Sequence, residues 1–254
     1  LKQQTKPFFA VIQTADNHRP YSIPAEDKNE FKLLTYSADS LKRFGFESNE
    51  EMNAFRYTDF SYQKFMEAAK KEPYFKNTIF VFVGDHGIRY NGSLEYFPKS
   101  WTEQGLTCEH VPLLFYAPAL LKPQRVHNVC SQIDILPSIA SLAKIPYMNN
   151  SLGRNLFDTV AYAQVLGHDE IIPRLPKYTA FVIDHDLHTI GIVNNQYYYL
   201  KNLKTGKDDL VSSIGNNPVK ESAETDSVKN YLQQLTDAYY ETSKYLLLNN
   251  KKRK

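Results

Sequence analysis

The stretch TIFVFVGDHGIRYNG, Thr78 to Gly92, decides how we interpret the fold of this chain. An apolar run rich in β-branched and aromatic residues stops at Gly84 and is followed by an acid, Asp85, and an imidazole, His86. A run of this kind, bounded by glycine, is typical of a strand buried on both faces of a parallel α/β sheet. The carboxyl ends of such strands open onto the crevice where these sheets carry their chemistry. We therefore expect Asp85 and His86 to lie in a functional cleft.

Working outward, the segments PFFAVIQT, Pro7 to Thr14, and VPLLFYAP, from Val111, show the same buried-strand pattern. Ser48 and Glu51 form a capping-box pattern that predicts a helix ending near Pro73, and SQIDILPSIASLAKI, from Ser131, predicts a second helix. This order of strands and helices is typical of an α/β fold. The sequence predicts one mostly parallel sheet with flanking helices over residues 1–175, in which Pro7–Thr14, Thr78–Val83 and Val111–Tyr116 are neighbours.

The pattern changes from Tyr178 onward. TAFVID, HTIGIV and QYYYLKN are short runs separated by turn residues, which predicts an antiparallel meander. Asp226 to Leu248 has apolar residues at helical spacing. Residues 176–254 are therefore predicted to form a small antiparallel meander with a C-terminal helix packed on it.

Composition and charge exclude some classes of function. The chain has 254 residues, 42% of them hydrophobic, and 30 basic residues against 28 acidic ones. This near balance gives no field that would favour nucleic acid or an anionic membrane, and we interpret Lys251 to Lys254 as a solvated tail. No apolar segment approaches the roughly 20 residues needed to span a bilayer.

Cys108 and Cys130 could pair or stay as separate buried thiols, and the sequence leaves both alternatives open.

Two groups of residues point to phosphate or metal chemistry. Asp85 and His86 are natural ligands for zinc or manganese, while the alternative is a capped strand end with an Asx-turn. His18 and Arg19 follow the apolar run of Pro7 to Thr14, and together they could hold a phosphate or sulfate. The alternative for these two is a surface loop made rigid by Pro20.

Two further groups have weaker patterns. His110 precedes the strand pattern from Val111, at the end opposite to the crevice of a parallel sheet, and a satisfied core or surface histidine is its alternative. Asp184, His185, Asp186 and His188 resemble a metal site by composition. They lie in a turn of the predicted meander, where alternation directs them to different faces, so we predict that they bind no metal.

Four motifs occur in one order: TADNHRPY, TIFVFVGDHG, EHVPLLFYAP and SQIDILPSIASLAKI. Together they resemble the carboxyl-terminal part of the sulfatase branch of the alkaline phosphatase superfamily. The NHRPY loop is most similar to lipoteichoic acid synthase and related phosphoglycerol transferases. The resemblance covers roughly Pro7 to Phe157, and four ordered motifs are far more specific than any one of them.

The resemblance implies a metal-dependent enzyme that attacks a phosphate or sulfate ester. In that family the residues matching Asp85 and His86 bind a divalent metal, which implies manganese or zinc here, with magnesium as a third candidate. The residue matching His18 contacts the phosphate of the substrate. We add Arg19, Arg89 and His110 as predicted substrate-binding residues. Asp134 matches a helix-packing position of the family.

The resemblance also implies that this chain holds only part of an active site. The nucleophile of the family, here expected to be a threonine, and another acidic metal ligand precede the strand that matches PFFAVIQT. The sulfatase signature, Cys or Ser followed by x-Pro-x-Arg, is absent, since Ser22 to Glu26 ends in the wrong residue. We therefore expect no catalytic nucleophile in this chain and interpret Leu1 as a boundary inside a domain.

The implied full-length enzyme is anchored by amino-terminal membrane helices and works outside the cytoplasm on a phosphorylated or sulfated lipid or glycan. Two alternatives stay open. One is a sulfate ester hydrolase rather than a phosphoglycerol or phosphoethanolamine transferase. The other is a non-catalytic binding module that keeps the fold.

Overall fold

We describe residues 3–90, 96–157 and 178–249 from a computed structural model of the chain. The α-helices of these residues are α1 (Ala38–Phe44), α2 (Asn49–Ala69), α3 (Lys99–Thr102), α4 (Leu106–Glu109), α5 (Ile135–Leu142) and α6 (Ala223–Asn249). The strands are β1 (Phe80–Val83), β2 (Leu113–Tyr116), β3 (Thr179–Asp184), β4 (Thr189–Asn194), β5 (Tyr197–Asn202) and β6 (Asp208–Ser212). Short 3-10 helices span Ala25–Asn29, Pro73–Asn77 and Gln132–Asp134.

Helix α2 begins where its capping pattern predicts. The Ser48 hydroxyl accepts a hydrogen bond from the Glu51 amide at 3.2 Å, which satisfies one of the unpaired N–H groups of the first turn. The Glu51 carboxylate accepts instead from the Glu47 amide at 2.7 Å, so only half of the capping box forms. The helix ends at Ala69, and the 3-10 helix Pro73–Asn77 follows.

Strands β1 and β2 form a two-stranded antiparallel sheet in which Phe80 is opposite Tyr116 and Val83 is opposite Leu113. The α/β class is confirmed, but the predicted mostly parallel sheet is wrong among the described residues, because both of their sheets are antiparallel. The expected burial on both faces is also wrong, because most residues of β1 and β2 are partly or fully exposed. An apolar run favours a strand but carries no information on the direction of its partner. The antiparallel pairing brings the carboxyl end of β1 to the amino end of β2.

The predicted strand at residues 7–14 does not form. This segment has no strand structure, and the side chains of Phe9, Val11 and Ile12 are 69%, 81% and 67% exposed. A strand needs a neighbour that accepts and donates backbone hydrogen bonds, and none of the described residues pairs with this segment. An apolar pattern alone is therefore not sufficient evidence for a strand.

The predicted meander is confirmed. Strands β3, β4, β5 and β6 follow one another in an antiparallel sheet, with Val182 opposite Gly191 and Gly191 opposite Leu200. The fourth strand, β6, was not predicted, because Asp208 and Asp209 are poor strand formers and pairing with β5 overrides their preference.

The predicted C-terminal helix is also confirmed, and α6 covers one face of the meander. Its Val228 and Leu232 join a core cluster with Ile192, Tyr199 and Leu210 of the sheet. Burial of this apolar face rather than intrinsic propensity is the main source of stability for such a helix. The predicted boundary at residues 175 and 176 lies outside the described residues and stays a prediction.

The meander packs directly on the preceding part of the chain. Leu106 of α4 forms a cluster with Val182 and Tyr198 of the meander, with Trp101 packed against it. The indole N–H of Trp101 donates to the Ser213 carbonyl at 2.8 Å. In the described portion of the chain, no helix has the length and apolar character needed to cross a membrane.

Candidate functional site

The turn at residues 84–87 carries the predicted metal ligands and is held by backbone contacts to α4 and to the residue before β2. The Gly84 amide donates to the Pro112 carbonyl at 3.3 Å, and the Gly87 amide donates to the Cys108 carbonyl at 2.6 Å. A Cβ atom on Gly87 would lie 2.1 Å from the Thr107 carbonyl oxygen, closer than any real contact. Glycine is required there because the two backbone segments approach each other so closely.

Asp85 and His86 each have one side-chain atom with a free lone pair, and these two atoms lie near each other. The Asp85 Oδ1 atom accepts from the His86 amide at 3.0 Å, which leaves Oδ2 free. The His86 Nδ1 atom lies 2.8 Å from the Gly87 carbonyl oxygen, and a carbonyl can only accept. Nδ1 of the neutral ring therefore carries the proton, and Nε2 keeps its lone pair.

The two free atoms suit a shared cation. Asp85 Oδ2 and His86 Nε2 are 4.0 Å apart, and their side chains are 81% and 73% exposed. Zinc at its usual bond lengths holds tetrahedral ligand atoms about 3.4 Å apart, so a small side-chain rotation brings the pair to a chelating distance. In the described ranges no group of three potential metal ligands gathers. Asp85 and His86 therefore fit two ligand positions of a metal site. The hydrogen bond from the His86 amide to Asp85 Oδ1 is compatible with that role, because it leaves Oδ2 free.

Gln132 is a residue that the sequence did not single out. Its side-chain Nε2 donates to the carbonyl oxygens of Gly84 and Asp85 at 2.7 and 2.8 Å. It therefore holds the backbone of the turn from the side of the SQID segment. The only sequence signal was that Gln132 lies in SQIDILPSIASLAKI, one of the four motifs.

The antiparallel pairing of β1 and β2 places His110 near the turn at residues 84–87, and not at the opposite end of the sheet as expected. This residue ends α4 just before β2, and its carbonyl oxygen would lie 3.0 Å from a Gly87 Cβ atom. His110 is thus beside the turn, and not at the far end of the sheet as a parallel pairing would place it. Its ring is exposed and meets Trp101 edge to face, with 4.9 Å between the centroids. Its role in substrate binding stays a prediction.

The loop of His18 and Arg19 is fixed against α2. The Thr58 hydroxyl donates to the Asn17 side chain at 2.5 Å, and the Tyr21 hydroxyl donates to Glu51 at 3.1 Å. His18 Nδ1 lies 2.9 Å from the Arg19 carbonyl oxygen, so Nδ1 carries the proton and Nε2 is free at an exposed position.

The Arg19 guanidinium pairs with Glu47 at 2.5 Å, and both side chains are largely exposed. A surface pair of this kind contributes little to stability, so the Arg19 guanidinium can leave Glu47 and pair with another anion. That His18 and Arg19 bind substrate, and that they share one site with Asp85, stay predictions.

Arg89, predicted to bind substrate, forms ion pairs with two carboxylates of the meander. Its guanidinium pairs with the buried Asp184 carboxylate at 2.9 Å and with exposed Asp186 at 3.6 Å. Burial alone raises the pKa of Asp184, but the Leu187 amide and the Arg89 charge outweigh it and place that pKa below its ordinary value. The geometry gives Arg89 a bridging contact between the segment after β1 and the meander, and its assignment to substrate stays a prediction.

The acidic and histidine-rich turn that follows β3 is engaged by this ion pair. Asp184 also accepts from the Leu187 amide at 2.9 Å. The prediction that this turn binds no metal stays a prediction. Cys108 and Cys130 both carry free thiols, which decides the alternative that the sequence left open.

Asp134 takes the packing role implied by the resemblance. Its carboxylate is buried and accepts from the amides of Ser131 and Arg154, each at 2.9 Å. The Arg154 side chain lies 3.6 Å away as an ion-pair partner. Asp134 therefore links the start of α5 to the segment around Arg154.

Comparisons with known proteins identify relatives of this chain among sulfatases and lipoteichoic acid synthases. A family model described as sulfatase matches residues 1–145. Arylsulfatase K of Gallus gallus is 30% identical over 148 residues, which cover 56% of this chain and 26% of that protein. Lipoteichoic acid synthase 1 of Bacillus subtilis (strain 168) is 28% identical over 225 residues, 84% of this chain and 33% of that protein. The chain thus spans about a quarter to a third of the length of these relatives.

Among solved structures, a putative sulfatase from Bacteroides thetaiotaomicron VPI-5482 is similar, with a TM-score of 0.48 and 19% sequence identity. The similarity covers 77% of this chain and 44% of that one.

Proposed function

The chain belongs to the sulfatase family, and from this premise we propose that it carries part of the metal centre of an enzyme that transfers or hydrolyses a phosphate ester. Transfer of a phosphoglycerol or phosphoethanolamine group is the reaction we favour. The similarity to lipoteichoic acid synthase 1 supports it, because an alignment over 84% of the chain includes most of the meander. Sulfate ester hydrolysis is the second candidate, supported by the 30% identity to arylsulfatase K.

One observation carries the proposal. Asp85 Oδ2 and His86 Nε2 lie 4.0 Å apart as free electron-pair donors at the end of a strand. The tautomer that frees Nε2 is set by the Gly87 carbonyl. A hydrogen bond at the second ring nitrogen of this kind is the usual companion of a metal-binding histidine.

The residues of this chain would hold and orient the reacting groups. A bound divalent cation, manganese, zinc or magnesium, supplies Lewis-acid polarisation of the ester and lowers the pKa of a hydroxyl beside it. Asp85 contributes negative charge, and His86 a neutral nitrogen ligand. We propose that His18 binds an oxygen of the phosphate or sulfate through its free Nε2. His110 stands beside the turn and is proposed as a further substrate contact.

Two ligands are fewer than the three protein ligands usual for catalytic zinc. We propose that the missing ligand and the threonine nucleophile come from sequence ahead of Leu1 in a longer form of the protein. We further propose that this form is anchored in the membrane and acts outside the cytoplasm on a phosphorylated or sulfated lipid or glycan. The family resemblance supports these two steps.

Calorimetric titration with Mn²⁺ and Zn²⁺ tests the metal site. We expect weak binding to this chain, because an incomplete ligand set leaves water on the cation and gives up binding free energy. Asp85→Ala and His86→Ala should abolish it. His185→Ala is the matched control, since it removes an exposed imidazole next to an acid in the turn after β3. Tight binding that survives the first two substitutions would contradict the proposal.

Activity of the full-length protein separates the alternatives. Hydrolysis or transfer of a phosphodiester, lost in Asp85→Ala and His86→Ala, would support the phosphotransferase. Turnover of an aryl sulfate alone would favour the sulfatase. Metal binding without turnover of either ester would favour the non-catalytic binding module.

A further inference from the structure

We propose that Gln132 is a positioning residue for the candidate metal ligands: its carboxamide fixes the backbone from which Asp85 and His86 extend. The inference rests on the proposed metal site and adds a residue to it that touches neither metal nor substrate. Gln132 is 47 residues from Asp85 in sequence and lies in the 3-10 helix Gln132–Asp134.

The hydrogen-bond pattern identifies what Gln132 does. Its Nε2 lies 2.7 Å from the Gly84 carbonyl oxygen and 2.8 Å from that of Asp85. A side-chain amide nitrogen has two N–H groups, and both partners are oxygens that can only accept, so one donor serves each carbonyl. The full donor capacity of the amide is therefore used on this turn.

Binding two successive carbonyls also defines the shape of the backbone. In an extended strand, successive carbonyl groups point in opposite directions. They can reach a single nitrogen only if the chain bends between them, and the chain does bend at Asp85, just after β1 ends at Val83. Gln132 thus stabilises the bent conformation in particular, and not the strand that precedes it.

Gln132 is itself well anchored. The neighbouring Asp134 carboxylate, 3% exposed, accepts from the amides of Ser131 and Arg154. The Ser138 hydroxyl donates to the Asp134 carbonyl at 2.6 Å. These contacts fix the backbone on both sides of Gln132, from which its side chain reaches the turn.

The turn needs such a support because its ligands face solvent. The side chains of Asp85 and His86 are 81% and 73% exposed, so packing does not fix their orientation. Ligands held near the binding geometry before the cation arrives lose less freedom when it binds. Partners of this kind typically change metal affinity by about 10- to 100-fold when they are removed.

Gln132 is exposed, so its replacement should leave the core intact. Gln132→Met keeps the length of the side chain and removes the donors. Gln132→Glu keeps the shape and places a carboxylate against two carbonyl oxygens. Gln234→Glu, at an exposed position of α6, is the control for the added charge. Near-unchanged unfolding midpoints in urea would show that all variants fold.

The first measurement is amide hydrogen exchange of metal-free protein by NMR. We expect the amides of His86 and Gly87 to exchange several-fold faster in Gln132→Met and Gln132→Glu, and at the wild-type rate in Gln234→Glu. The second is calorimetry with Zn²⁺, in which both Gln132 variants should weaken binding about tenfold or more.

Unchanged exchange at His86 and Gly87, or Zn²⁺ affinity within twofold of wild type in both Gln132 variants, would overturn the inference. Absence of Zn²⁺ binding by the wild-type chain would count against the proposed metal site instead. In that case the exchange rates of metal-free protein still decide whether Gln132 holds the turn.

Discussion

Replacing Asp184 by asparagine would remove the charge that pairs with Arg89 while keeping the shape of the side chain. The Asp184 side chain is 4% exposed, and its Oδ2 atom is 2.9 Å from the guanidinium. Its Oδ1 atom accepts from the Leu187 amide, a bond that asparagine can keep. The substitution therefore isolates the ion pair between the meander and the segment after β1.

Removing one partner of a buried ion pair typically destabilises a protein by about 3–5 kcal/mol. Arg89 is 30% exposed and can recover some hydration. We therefore expect Asp184→Asn to lower the free energy of unfolding by about 2–3 kcal/mol. Asp186→Asn is the matched control, because Asp186 lies 3.6 Å from the same guanidinium and is 86% exposed. Its expected effect is below about 0.5 kcal/mol.

Urea unfolding at pH 7, followed by circular dichroism, measures both effects. The pKa of Asp184 is lowered in the folded state, so its contribution is fully present above the unfolded value of about 3.9 and is lost as pH falls through the folded value. The difference between wild type and Asp184→Asn should accordingly narrow below about pH 4. Equal effects of Asp184→Asn and Asp186→Asn, or a gap that does not change with pH, would refute the reasoning and leave Arg89 available for substrate.

Two further predictions concern the turn and the thiols. Gly87→Ala should lower the free energy of unfolding in urea by about 1–3 kcal/mol, because the new Cβ would overlap the Thr107 carbonyl. Gly215→Ala is the control and should be near neutral, since its nearest contact is at 4.0 Å. Equal effects of the two substitutions would contradict this prediction. Burial raises the pKa of the thiols of Cys108 and Cys130, so at pH 8 both should react with iodoacetamide several-fold more slowly than free cysteine, and reaction at the free rate would show that the thiols are not protected.

Local patterns were sufficient to predict β3, β4, β5 and α6, but not β6. The strands β3 to β5 are short runs of strand-forming residues separated by turn residues, and α6 has apolar residues at helical spacing, so the information that predicts each element is contained within its own segment. The predicted helix from Asp226 to Leu248 differs from Ala223–Asn249 by only a few residues, as expected for helix ends that fray.

The arrangement of β1, β2 and residues 7–14 could not be predicted in this way. Direction and pairing depend on which segments meet, and a run of apolar residues is compatible with either direction. The same limit applies to the site. Asp85 and His86 were identifiable because glycines flank them after an apolar run, whereas Gln132 and Asp184 act on residues 47 and 95 positions away. No sequence spacing encodes contacts of that length.

The central claim is that Asp85 and His86 bind one divalent cation, and anomalous diffraction from crystals soaked in Mn²⁺ or Zn²⁺ tests it most directly. The account predicts an anomalous peak about 2.0–2.2 Å from both the Oδ2 atom of Asp85 and the Nε2 atom of His86. A well-occupied peak in the turn of Asp184 and His188, with none between Asp85 and His86, would contradict it.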